Sequence, residues 1–321
     1  MYSLGFDIGG TKCAVILGRG EMPESHEELI IDKIAFPTNV ERGWEAIISE
    51  MIASADTILS RHGITSPERE LTGIGISCGG PLDSRKGTIN CPPNLPDWDN
   101  VPICDMLYEH FGIRPNLQND ANACAVAEWK FGAGKGTENM IFLTFGTGMG
   151  AGLILNGKLY SGTNDMAGEV GHIRLSPDGP VGYGKAGSFE GFCSGGGIKR
   201  LGEMMLENAR LDGTESVLFG ETEISAKTIA IAARSGDSLA KKIYDTCAER
   251  LGMGLSILID ILNPEAIVIG SIYSRSSDLF DSIINNVINK EALSHSRNVC
   301  KILPAALGDS IGDFAALGLA L

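Results

Sequence analysis

Two strand–turn–strand signatures built on clustered glycines constrain this chain more than any other feature. The first is Asp7-Ile8-Gly9-Gly10-Thr11-Lys12, set between the apolar runs Leu4–Phe6 and Cys13–Leu17. The second is the run Ile141–Leu155, IFLTFGTGMGAGLIL, which turns at Gly146-Thr147-Gly148-Met149-Gly150. In each, an apolar strand enters a glycine turn and a second apolar strand leaves it. Glycine lets backbone N–H groups approach a phosphate closely, and at the first turn the Thr11 hydroxyl and Lys12 ammonium add donors. Asp7 is placed to hold the water shell of a magnesium ion. For the first turn the competing reading is a plain β-hairpin, since paired glycines are frequent turn residues. Two such hairpins about 140 residues apart, each opening a long half of the chain, predict an internal duplication. Its halves are expected to face each other across a cleft, with both turns on one polyphosphate. Neither turn matches the Walker pattern GxxxxGK[ST], and a dinucleotide-binding GxGxxG has to open a helix rather than a second strand.

The stretch Leu117-Gln118-Asn119-Asp120-Ala121-Asn122-Ala123 carries a carboxylate where a short strand, Ile113–Leu117, runs toward a helix predicted over Ala121–Phe131. In alternating α/β sheets ligands bind where strands end, which makes Asp120 a candidate general base. Asn119 and Asn122 are candidates to orient it or a substrate. The alternative is that Asp120 caps the helix, a common duty of Asp and Asn at such junctions.

With 321 residues and 43% hydrophobic content, the chain is long enough for two domains with cores of their own. Its formal charge of −14 is repelled by phosphate backbones and anionic bilayers, so neither nucleic acid nor a membrane surface is an expected partner. No basic segment followed by an apolar one opens the sequence, and the most apolar long stretch, Leu251–Gly270, is broken by Asp260, Asn263, Pro264 and Glu265. A cytoplasmic protein is expected. The eight cysteines are scattered without a Cys-x-x-Cys pair, which points to reduced thiols in core positions.

Between the hairpins, Trp44, Ile47, Ile48, Met51, Ile52, Ala55, Ile58 and Leu59 follow helical spacing, and Gly63 is a stop. Leu71–Cys78 reads as a strand, followed by a proline-rich loop, Cys91–Trp98, in which Trp98 is either a buried anchor or part of a pocket wall. Past the second hairpin, Glu169 and His172 are spaced to face one ligand, and Glu190, after the loop Pro177–Ser188, is placed to join them. Carboxylates and imidazole suit the binding of several hydroxyls. A metal at His172 is the rival reading, with Cys193 the one nearby thiol. Toward the end of the chain, Ser225 and Asp237 are expected to cap two helices, Ala266–Ile269 to form a buried strand, and Ile311–Leu319 a final apolar helix.

Taken together, DIGGTK, Asn94-Leu95-Pro96, Asn119-Asp120-Ala121-Asn122-Ala123, FGTGMGAGLILNGKLYSG, Gly168-Glu169-x-Gly171-His172 and Leu262-Asn263-Pro264 resemble the ROK family of sugar kinases and repressors. The resemblance covers essentially the whole chain. It implies an α/β chain with the duplicated actin-like ATPase (ribonuclease H-like) fold, two lobes with a central cleft. A small N-terminal lobe, 1–120, would be completed by a C-terminal helix, 308–321, and a large C-terminal lobe would span 121–307. It further implies that Asp120 takes the proton from a sugar 6-hydroxyl and that Asn94, Asn119, Glu169, His172 and Glu190 bind the sugar. ATP and Mg2+ would lie against Asp7, Gly9, Gly10, Thr11, Lys12, Gly146, Thr147, Gly148 and Gly150, the magnesium near Asp7. This agrees with phosphoryl transfer, which needs positioning and charge neutralisation more than covalent work by protein.

Most members of the family carry a zinc motif, CxCGxxGCxE. Aligned on Gly187 and Glu190, this sequence has Val181, Tyr183 and Ser188 at its three cysteine positions, so no zinc is expected and another partner must fix His172. The family's repressors carry a DNA-binding domain ahead of the kinase-like part. Here the first hairpin begins within the first seven residues, so no such domain is expected. The resulting expectation is a homodimeric, ATP-dependent hexose kinase acting on the 6-hydroxyl. Glucose comes first, then N-acetylmannosamine or N-acetylglucosamine; a non-catalytic sugar-sensing regulator is the remaining alternative.

Overall fold

Unbroken apolar runs such as Cys13–Leu17 call for strands covered on both faces rather than on one. The structure, a computed structural model, describes residues 1–21 and 28–321. In chain order it contains β1 (Tyr2–Ile8), β2 (Lys12–Arg19), β3 (Ile30–Pro37), α1 (Trp44–Arg61), α2 (Pro67–Glu70), β4 (Leu71–Cys78), β5 (Leu82–Asp83), β6 (Thr88–Ile89), α3 (Ile103–Phe111), β7 (Asn116–Asn119) and α4 (Asp120–Phe131). There follow β8 (Met140–Phe145), β9 (Met149–Leu155), β10 (Lys158–Leu159), β11 (Val181–Gly182), β12 (Lys185–Ala186), α5 (Phe189–Phe192), α6 (Gly195–Asp212), α7 (Ala226–Arg234) and α8 (Ser238–Leu262). The chain finishes with β13 (Ala266–Ile269), α9 (Ile272–Glu291), α10 (Ser294–Arg297), β14 (Lys301–Pro304) and α11 (Ile311–Ala320).

The chain divides into two units. The first comprises Met1–Gly136, Leu159–Ala167 and Asp309–Leu321, the second Thr137–Lys158 and Gly168–Gly308. In the first, the sheet order is β3-β2-β1-β4-β7, with β1 antiparallel to β2, β2 antiparallel to β3, and β4 and β7 joined in parallel. In the second, the order is β10-β9-β8-β13-β14, with β8 antiparallel to β9 and parallel to β13, itself parallel to β14. Each glycine turn joins a central strand to its antiparallel neighbour, and parallel strands extend the sheet on the other side.

Within the first unit, α1 buries Ile47, Ile48, Met51, Ala55, Ile58 and Leu59, the stripe that the spacing predicts. Each large side chain of that stripe contributes about 1.5–3 kcal/mol through burial. Trp98 is fully buried, so it anchors its loop rather than lining a pocket. The unit runs past residue 120 to Gly136 because α4 packs on α11: the Phe131 and Phe314 rings are 5.9 Å apart, and Lys130 Nζ donates to the Gly318 carbonyl at 2.9 Å.

The second unit gathers its core from Phe145 on β8, Tyr244 on α8 and Phe280 on α9, with centroids 5.6 and 5.3 Å from Phe280. Asp237 caps α8 by accepting from the Ala240 N–H at 2.8 Å, and Ser225 caps α7. Helix α8 ends where Asn263 turns left-handed, at φ 44°, ahead of Pro264. The segment read as a plain loop, Pro177–Ser188, contains the ribbon β11–β12 instead. Among the described residues no helix is long and apolar enough to cross a membrane.

Candidate functional site

The candidate residues fall into two sets, one in each unit. In the first unit, register ties three strand ends together. Asp7 and Ile8 lie opposite Ser77 and Cys78 of β4, and Cys78 lies opposite Asn119 of β7. Asp7, the first glycine turn and Asp120 therefore meet at the carboxyl ends of three parallel strands, the side on which α/β sheets bind ligands.

The first glycine turn is closed by the Gly9 N–H, which donates to the Lys12 carbonyl at 3.1 Å. Thr38 braces it from β3's end: its hydroxyl donates to the Gly9 carbonyl at 2.6 Å and its N–H to the Thr11 carbonyl at 3.0 Å. Nothing in the linear sequence tied Thr38, 27 residues on, to that turn. Thr11 and Lys12 are exposed. Gly10 has no room for a side chain, since a Cβ there would lie 2.5 Å from the Asn94 carbonyl oxygen. The exposed Asn94 is thereby brought against the turn.

Asp7 is half-buried. Burial, reinforced by Asp313 and less strongly by Asp120, pushes its carboxyl up to about 6, against the opposing charges of Lys12 and Lys33. Asp120 is reached by solvent on one side and hemmed in by protein on the others. Burial raises its pKa above the ordinary carboxylate range, although the Ala121 N–H, donating to Oδ1 at 2.8 Å, works the other way. The helix cap belongs to Asn119, whose Oδ1 accepts from the Asn122 N–H at 2.8 Å. Asn122, a candidate orienting group by sequence, is fully buried with Nδ2 donating to Gln118 Oε1 at 3.1 Å. It lies within the first turn of α4, with its side chain buried in the protein.

In the second unit, the Gly146–Gly150 turn is held by neighbours on both sides. Gly150 N–H donates to Thr144 Oγ1 at 2.8 Å, Gly195 N–H to the Gly146 carbonyl at 2.7 Å, and Met149 N–H to Glu190 Oε2 at 3.1 Å. A Cβ on Gly148 would come 2.9 Å from the same Glu190 oxygen. Ser194 caps α6 through the Gly197 N–H, so the Gly195-Gly196-Gly197 opening of that helix lies beside the turn. This Ser-Gly-Gly-Gly run, unassigned on sequence, has the small residues that a close helix N-terminus needs.

Glu169 is exposed and His172 half-buried, on either side of a short 3-10 turn, Val170–His172. The turn is pinned by the Ala151 N–H donating to the Gly168 carbonyl at 2.8 Å. A Cβ on Gly171 would lie 3.2 Å from Glu190 Cβ, which puts Glu190 beside the Glu169–His172 turn. The second unit thus brings Glu169, His172, Glu190 and the Gly146–Gly150 turn together.

The chain matches the ROK family over residues 3–321. It is 33% identical over 315 residues to a glucokinase from Halalkalibacterium halodurans, covering 97% of this chain and 92% of that protein. The crystal structure of the ROK hexokinase from Thermus thermophilus superposes with a TM-score of 0.80 at 26% identity, covering 100% of this chain and 98% of the other. That of a ROK family glucokinase from Streptomyces griseus, in complex with glucose and AMPPNP, gives a TM-score of 0.73 at 30% identity, covering 100% and 99%. These neighbours carry the actin-like ATPase fold, and with the family match across nearly every residue the chain belongs to the ROK family.

Proposed function

We propose that this ATP-dependent sugar kinase moves the γ-phosphoryl group of ATP to the 6-hydroxyl of a hexose, with glucose the preferred acceptor. The observation that carries the reading is Asp120: a carboxylate with raised pKa, open to solvent, at the strand ends that also hold Asp7 and the first glycine turn. Asp120 accepts the proton of the 6-hydroxyl as that oxygen attacks the γ-phosphorus, and ADP leaves with the displaced bond's electrons. Asn94, Asn119, Glu169, His172 and Glu190 hold the sugar hydroxyls.

Gly9, Gly10, Thr11 and Lys12, and likewise Gly146, Thr147, Gly148 and Gly150, are the backbone turns assigned to the nucleotide phosphates, and the fold is read as a duplicated one. The matching strand order of the two sheets supports that duplication. Asp7 offers hard oxygen donors suited to magnesium and its waters, and a cation there would offset by attraction the cost of burying its charge. Bound magnesium supplies charge neutralisation at the phosphates. A cytoplasmic, homodimeric enzyme completes the proposal.

The test is ADP release by the purified chain with MgATP and glucose, mannose, fructose, allose, N-acetylglucosamine or N-acetylmannosamine. Sugar-dependent release with glucose foremost is the expected result. A clear preference for an N-acetylhexosamine would reassign the substrate, and no sugar-dependent release would remove the kinase reading.

A further inference from the structure

The family's zinc motif does not fit this chain. Val181, Tyr183 and Ser188 stand where three thiolates would be, and none supplies the sulfur or imidazole donor that such zinc sites use. Among the described residues no group of three or more His, Cys, Asp or Glu side chains is gathered to hold a metal ion.

A hydrogen-bonded ribbon occupies the place. Val181 pairs with Ala186 and Gly182 with Lys185, and Lys185 Nζ donates to the His172 carbonyl at 2.7 Å. Arg174 Nη1 donates to the Ala186 carbonyl at 2.6 Å, while the N–H groups of Leu175 and Ser176 both donate to the Gly187 carbonyl. Ser188, at the third thiolate position, caps α5 by accepting from the Gly191 N–H at 3.1 Å. These bonds fix the backbone of the segment. They engage His172 through its main chain and leave the direction of its ring to another contact.

That contact is Tyr183, and its backbone shows that the ring is there at a cost. The ribbon turns at Tyr183-Gly184, with φ of 43° and 76°. Two successive positive φ values in a two-residue hairpin loop are the signature of a turn that favours Asn-Gly. A bulky residue at the first position is an outlier, and such outliers cluster at functional sites. Tyr183 is 75% exposed, so core packing does not account for it. Its ring meets the His172 ring with centroids 5.3 Å apart and planes at 79°, an edge-to-face pair.

We propose that Tyr183 is a positioning residue that fixes the His172 imidazole in place of the family's metal, and through it the affinity for the sugar. The proposal rests on the reading of His172 as a sugar-binding residue. Tyr183→Asn tests it, because asparagine suits the left-handed backbone while removing the ring; Tyr183→Phe keeps the ring.

The readouts are the thermal midpoint, the His172 ring resonances in isotopically labelled protein, and KM and kcat for the sugar. Y183N is expected to melt no lower than the wild type, to shift the His172 ring resonances, and to raise the sugar KM about three- to tenfold with little change in kcat, the size of one aromatic pair. Y183F is expected to match the wild type. A wild-type sugar KM in Y183N overturns the proposal. Should the wild type phosphorylate no sugar, the kinase reading fails by itself; unmoved His172 resonances in Y183N would then overturn the positioning role separately.

Discussion

Lys33 Nζ, on β3, stands 2.5 Å from Asp313 Oδ2, on α11, and this ion pair lies in the electrostatic surroundings of Asp7. Asp7 is consequently a carboxylate whose charge is opposed by burial and by Asp313, and favoured by Lys33 and Lys12.

The pH dependence of stability follows from that balance. Folded, the Asp7 carboxyl holds its proton up to about 6, against an ordinary 3.8. Between those values the folded state binds more protons than the unfolded one, so this group's contribution falls as pH rises through the window and is level above it. Asp7→Asn removes the charge. The ligand-free variant is expected to equal the wild type near pH 4 and to exceed it above pH 6 by on the order of 1–3 kcal/mol. Denaturant unfolding of both proteins across that range checks this, and a gap that does not widen with pH counts against it.

Asp120→Asn keeps the shape and loses the base. It is expected to bind glucose nearly as the wild type does in calorimetry and to lose about 10²–10⁴ in kcat. Because burial raises the Asp120 pKa, the acidic limb of the wild-type rate profile should lie above the usual carboxylate range. Near-normal turnover in the variant would remove Asp120 from the reaction.

Asn119 has two proposed duties that substitutions separate. Asn119→Ala loses the cap on the Asn122 N–H and is expected to lower stability by about 1 kcal/mol. Asn119→Asp keeps an acceptor for the cap but no amide donor, so stability should hold while the sugar KM rises. An unchanged KM in Asn119→Asp leaves only the cap.

Gly10→Ala drives a methyl group into the Asn94 backbone, which the chain resolves by moving either the turn or the loop. A loss of about 1–3 kcal/mol in stability is expected, together with weaker nucleotide binding. Fluorescent-nucleotide titration alongside thermal unfolding measures both; wild-type affinity would detach this turn from the phosphates.

Elemental analysis of the purified, untagged chain is expected to find no stoichiometric zinc, because the ribbon at Val181–Ala186 offers no thiolate. One zinc per chain would contradict this.

Local apolar patterning made much of the fold legible. The stripe of α1, the strands around both glycine turns, the caps Ser225 and Asp237 and the stop at Pro264 can all be read from neighbouring residues. What sequence could not give depends on contacts between distant segments. Thr38 bracing Gly9, Asn94 against Gly10 and Tyr183 against His172 leave no periodic trace. Asn122 misled for the converse reason: polarity beside Asp120 looked like a ligand group, yet its place on α4 buries it against Gln118. Helix α6 escaped because three glycines at its start disguise a helix as a loop, and the cap that rescues it is one serine, Ser194.

The packing of α11 on α4 has a consequence for how the protein is born. Roughly 180 residues separate the end of α4 from the start of α11, and at ribosomal rates of about 5–20 residues per second they take about 10–40 s to make. For that interval the nascent first unit lacks the helix that covers Phe131, while the second unit is synthesised whole. The later-made part of the chain can therefore finish folding before the earlier one, which stays incomplete until its last helix is released.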